Sequence, residues 1–123
     1  MTRKLLCVML LRFVLPEGVP KVVYKPDTKL EHAGTFGIMH EDHTLGNLIR
    51  IQLHADRHNV FAGYRIPHPL ESKLIMKVQT TGVKTPMTSM THALEDLRSE
   101  MHTLQAELDR AFLAARSSEG AML

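Results

Sequence analysis

Histidine is the residue type in this chain that most invites chemistry. There are eight: His32, His40, His43, His54, His58, His68, His92 and His102. His40-x-x-His43 and His54-x-x-x-His58 have spacings at which two imidazoles can share a metal ion, so a histidine-based metal-binding protein is one reading to weigh. A catalytic zinc needs three protein ligands in a fixed arrangement. His40-Glu41-Asp42-His43 falls one residue short of His-Glu-x-x-His. At a strand-to-helix junction those two rings would diverge, and His58 falls beyond the expected end of a helix that carries His54. Surface and capping roles account for these histidines without a metal.

Other chemistry is as sparse. The single cysteine, Cys7, cannot form an intrachain disulfide or a cysteine zinc site. It lies in an apolar run, where a thiolate is disfavoured. Neither a Gly-x-x-x-x-Gly-Lys-Ser/Thr phosphate loop nor a Gly-x-Ser-x-Gly nucleophile turn occurs. Asp27, Glu31, Glu41, Asp42 and Glu71 show no pairing suited to acid–base work. Catalysis on this chain is not expected, and no cofactor or metal is implied.

With 15 basic and 13 acidic residues the net charge is +2. No more than two cations, Arg3 and Lys4, are adjacent. A protein that grips a phosphate backbone shows a basic cluster, so strong direct nucleic-acid contact is not expected. A small DNA- or RNA-binding factor stays as a further alternative. Arg3-Lys4 before Leu5–Leu11 imitates a signal peptide. Arg12 ends that run, and no small-x-small cleavage site follows. The run is also far short of the ~20 residues that span a bilayer. Residues 1–12 are therefore set apart as an N-terminal extension, a buried strand or an irregular segment, with no membrane role.

Lys21–Lys25 reads as a strand between Pro20 and Pro26. Gly34–His40, Val60–Ile66 and Leu74–Thr80 read as three more, the last with Leu74, Met76 and Val78 on one face. Asp42 or Thr44 can cap a helix running to about Ala55. Leu45, Leu48, Ile49 and Leu53 fall on one face of it. Pro86 marks a loop. Met90, Leu94, Leu97, Met101, Leu104, Leu108, Ala111 and Ala115 then recur at spacings of 4, 3, 4, 3, 4, 3 and 4, the seam of a helix packed along another helix. That helix would start at Ser89 or Thr91 and span about 39 Å. A domain of this size has a radius of gyration near ~13–14 Å, so the helix should overhang its own sheet and require a second surface. Eight methionines, residues that adapt to partner surfaces, agree. Ser117–Leu123 reads as a disordered tail. The order predicts an α+β fold: a four-stranded antiparallel sheet with two helices on one face, the C-terminal one long.

Three blocks carry a resemblance. Glu41-Asp42-His43-Thr44-Leu45-Gly46-Asn47-Leu48-Ile49-Arg50 resembles the signature of the small α-like subunits of cellular RNA polymerases, a family that includes archaeal subunit L and the N-terminal domain of the bacterial α subunit. Phe61-Ala62-Gly63-Tyr64-Arg65-Ile66-Pro67-His68-Pro69-Leu70-Glu71 and Lys77–Thr81 are similar to the same family. Phe13–Gly18 and Pro26–Lys29 look like its polymerase II members, and His68–Glu71 looks more like those members than like the equivalent shared by polymerases I and III, which is the alternative. The likeness covers residues 13–115, read as one dimerisation domain, with 116–123 as its tail.

The resemblance implies a non-catalytic nuclear subunit. It would pair with the larger α-like subunit and nucleate assembly of the two large catalytic subunits. It implies motif roles for Asp42, His43, Thr44, Leu45, Gly46, Asn47, Arg50, Phe61, Gly63, Tyr64, His68 and Pro69. Gly46 would admit a neighbouring backbone, and Asn47 would satisfy buried backbone groups. The dimer interface would use Leu45, Leu48, Ile49, Leu53, Leu94, Leu97, Met101, Leu104 and Leu108. Bacterial members carry two adjacent cations where this chain has Arg50-Ile51.

Overall fold

A computed structural model describes residues 13–122. The expected N-terminal extension and Cys7 lie outside the described residues. The order is β1 (Val22–Pro26), β2 (Ala33–Met39), α1 (His43–Ala55), β3 (Asn59–Arg65), β4 (Lys73–Thr80) and α2 (Pro86–Met122). The four strands form one antiparallel sheet in the order β1-β2-β4-β3, and both helices pack on one face of it. Every strand starts within one residue of its predicted position. His40, in a left-handed conformation at φ 54°, closes β2 before the predicted final residue.

Alternation along the strands sets the core. Phe36 and Ile38 of β2, Ala62 of β3, and Leu74, Met76 and Val78 of β4 point to the helices. Ile49 and Leu53 of α1 and Met90, Ala93 and Leu97 of α2 meet them there. The Tyr24 ring packs at 4.9 Å from Phe36 and covers the β1 edge of this layer.

Local polar links fix where the helices begin and end. Asp42 caps α1 by accepting from the Thr44 N–H at 3.0 Å. The long helix begins earlier than the predicted Ser89 or Thr91. Thr85 Oγ1 accepts from the Thr88 N–H at 3.2 Å, and Pro86 occupies the first helical position, where its missing N–H costs nothing. The predicted loop residue is thus a helix starter. Buried Ser89 donates to Asn59 Oδ1 at 2.6 Å, and Asn59 Nδ2 donates to the Leu53 carbonyl at 2.7 Å. That chain ties the end of α1, the start of β3 and the first turns of α2 together. The Lys84–Asp56 ion pair at 2.9 Å reinforces the junction and holds the Asp56 carboxyl below its ordinary value.

The far end of α2 differs from expectation as well. It continues through Ser117 and Ser118 to Met122 rather than ending in a disordered tail. Ala114, Ala115, Arg116, Glu119 and Ala121 favour helix, and the two serine hydroxyls bond back to the Leu113 and Ala115 carbonyls. Among the described residues no helix is long and apolar enough to cross a membrane.

Candidate dimerisation surface

Thirty-seven residues of helix span about 55 Å at ~1.5 Å each. Only the first third of α2 rests on the domain. Leu97 is the last residue of α2 that is buried, and everything described beyond it stands in solvent. The overhang still carries large apolar side chains: Met101 is 47% exposed, Leu104 61%, Leu108 53% and Phe112 62%. A bare apolar stripe on an isolated helix is stable only when another surface covers it.

The structure divides the predicted interface residues into two groups. Ile49 and Leu53 are sealed in the chain's own core, as is Leu97 at 7% exposure, so none of the three is free to meet a partner. They lie on the same helical faces as the candidate seam, and periodicity alone does not separate the side of a helix that meets its sheet from the side next to it. Leu48, Leu94, Met101, Leu104 and Leu108 are exposed, and Leu45 is half-buried. Three further apolar residues belong with this group: Ile51 of α1, and Phe112 and Leu113 of α2. Phe112 follows Leu108 by four residues. A strict 3.5-residue repeat passes over it to Ala111, whereas the 3.6-residue turn of a straight helix selects it. A Gln52–Asp96 hydrogen bond at 3.5 Å crosses between the helices.

The motif residues position this surface rather than perform chemistry. Gly46 is buried, and a Cβ there would lie 2.4 Å from Leu74 Cδ1 and 2.8 Å from Tyr64 Cδ2. It admits side chains of the sheet, not the backbone expected. His43 Nδ1 lies 3.0 Å from the Tyr64 hydroxyl, with the rings in edge contact. The first two sequence blocks therefore meet through His43, Gly46 and Tyr64, which lock the first turn of α1 onto β3 and β4. Asn47 does not satisfy buried backbone groups. It is exposed, and its Oδ1 accepts from Arg50 Nε at 3.3 Å and from the Arg50 guanidinium terminus at 2.8 Å. Thr44 is exposed in the capped turn. Phe61 is half-exposed, with its ring over Gly63. His68 and Pro69 lie between β3 and β4 in a turn where the Leu70 N–H donates to His68 Nδ1 at 3.2 Å.

Among the described residues no three histidine, cysteine, aspartate or glutamate side chains converge on one point. His54 is exposed on α1, while His58 lies in the turn beyond it.

Residues 33–107 match the family model described as the RNA polymerase Rpb3/Rpb11 dimerisation domain. The chain belongs to this family. It is 46% identical over 93 residues to the DNA-directed RNA polymerase II subunit rpb11 of Dictyostelium discoideum, covering 76% of this chain and 78% of that one. Identity to the probable DNA-directed RNA polymerase II subunit RPB11 of Caenorhabditis elegans is 46% over 91 residues, covering 74% and 75%. Identity to the RPB11 subunit of Schizosaccharomyces pombe is 36% over 93 residues, covering 76% of each. The crystal structure of DNA-directed RNA polymerase subunit L from Thermoplasma acidophilum shares the fold, with a TM-score of 0.64 at 18% identity over 80% of this chain and 96% of that one. Most of the exposed seam falls within the matched dimerisation domain. Leu108, Phe112 and Leu113 extend the stripe beyond it.

Proposed function

We propose that this chain is the smaller α-like, non-catalytic subunit of nuclear DNA-directed RNA polymerase II. It pairs through α1 and α2 with the larger α-like subunit, and the pair helps assemble the two large catalytic subunits. The observation that carries the proposal is the α2 overhang, whose apolar stripe finds no cover among the described residues beyond Leu97. The polymerase II naming of relatives at 36–46% identity supports the choice of polymerase. Pairing buries the exposed leucines and Phe112 against a matching helical face, and the hydrophobic effect drives it. In this role the chain supplies shape and stability to the assembly, while the chemistry lies on other subunits. Co-expression with the larger α-like subunit tests the reading. A stoichiometric complex of one copy of each is expected. A soluble monomer that ignores the larger chain contradicts it.

A further inference from the structure

The four strands contain four charged residues, Lys25, Arg65, Lys73 and Lys77, and all are cations. All four also occupy positions out of phase with the core. Lys25 and Lys77 flank Thr35, Gly63 lies beside Lys77, and Arg65 lies beside Ile75. The sheet therefore turns every strand charge to the face opposite the helices. Of these four cations only Lys77 has a carboxylate partner among the described residues, Asp27 at 2.7 Å. Between two of these cations, Arg65 and Lys77, lies a hollow of about 420 Å³ that Thr35, Phe61, Gly63, Tyr64 and Ile75 also line. Phe61 and, on β1, Val23 expose about half their surface on this side.

We infer that this outer sheet face docks an acidic protein segment carrying apolar side chains. Charge complementarity selects the acidic partner, since the strands offer positive charge alone. The apolar hollow selects protein over nucleic acid. Protein interfaces place an apolar centre inside a polar rim, whereas phosphate recognition calls for a denser run of cations. The face lies on the far side of the sheet from the helices, so it is separate from the dimerisation seam and does not depend on that reading.

The test uses the full chain and three labelled probes in fluorescence anisotropy: a glutamate–leucine peptide, a lysine–leucine peptide of equal length, and a single-stranded DNA oligonucleotide of the same charge as the first. The glutamate–leucine peptide should bind, with affinity falling at least about tenfold as salt is raised. Replacing both cations, Arg65→Glu with Lys73→Glu, should abolish that binding, while Arg57→Glu in the turn between α1 and β3 should leave it unchanged. A photoreactive form of the peptide should attach to β3 and β4 of the unaltered protein, a readout that needs no variant. Attachment to α2 instead, tighter binding of the oligonucleotide, equal binding of the lysine peptide, or full binding by the doubly reversed variant would each overturn the proposal.

Discussion

Gly46 shows how one residue fixes the placement of a helix. Leu74 is wholly buried and Tyr64 is held by His43, so neither can retreat from a new methyl group. Gly46→Ala should therefore destabilise the fold by about 1–3 kcal/mol in denaturant melts, although alanine is the better helix former. A value at or below zero would show that the packing relaxes freely. The Asn59–Ser89 link supports a similar prediction. Asn59→Ala leaves the Ser89 hydroxyl without its acceptor and should cost about 1–3 kcal/mol, measured the same way. Acid exposes a third residue. Asp27 accepts from Lys77 and from the Lys29 N–H, and these bonds lower its carboxyl from 3.8 to about 2. Because the folded value is depressed, the stabilisation is complete above the unfolded value near pH ~4 and is lost as pH falls towards ~2. Asp27→Asn should flatten the stability profile across that window, and an unchanged profile would remove Asp27 from the account. At this scale the sequence was a partial guide. The need for glycine at 46 could be suspected from its place in an apolar helix, but its neighbours, 18 and 28 residues further on, emerge only once the sheet is folded. Asn47 bonds Arg50 one turn along its own helix, a local alternative that residue type alone does not exclude.

At the scale of elements, α2 performs two tasks in succession. Met90, Ala93 and Leu97 close the domain's own core, whereas Met101, Leu104 and Leu108 face outward. Charge substitutions should separate these tasks. Leu104→Asp or Leu108→Asp should leave the melting temperature of the isolated chain within a few degrees of the original and abolish pairing with the larger α-like subunit. Leu97→Asp should instead unfold the domain, at a cost of several kcal/mol, about 3 or more, because the charge enters the core. Loss of folding in the first two, or normal pairing, would place the seam elsewhere. The heptad spacing made this helix legible from sequence, as strict alternation made β4 legible. The ends were harder. Pro86 signals both a loop and a helix start, and Thr85 decides between them only as an observed cap. At the other end, alanine-rich helix propensity outweighed the polar, serine-containing composition.

For the whole molecule the separation of faces is the governing feature. The helices and the domain core occupy one side of a single sheet, the cations and the apolar hollow occupy the other, and the α2 overhang extends beyond both. The basic face was not legible as a cluster, since its four cations are dispersed from residue 25 to residue 77. Their shared phase relative to Phe36, Leu74 and Met76 was the available signal, and antiparallel pairing assembled it. A chain with so much uncovered apolar helix should self-associate when made alone, with an apparent mass that rises with concentration in sedimentation. On this reading another chain covers α2 beyond Leu97. Hydrogen exchange over residues 98–122, measured for the chain alone and for its complex with the larger α-like subunit, tests it most directly. Slow exchange appearing across this segment on pairing is the predicted result; equally rapid exchange in both states would contradict it.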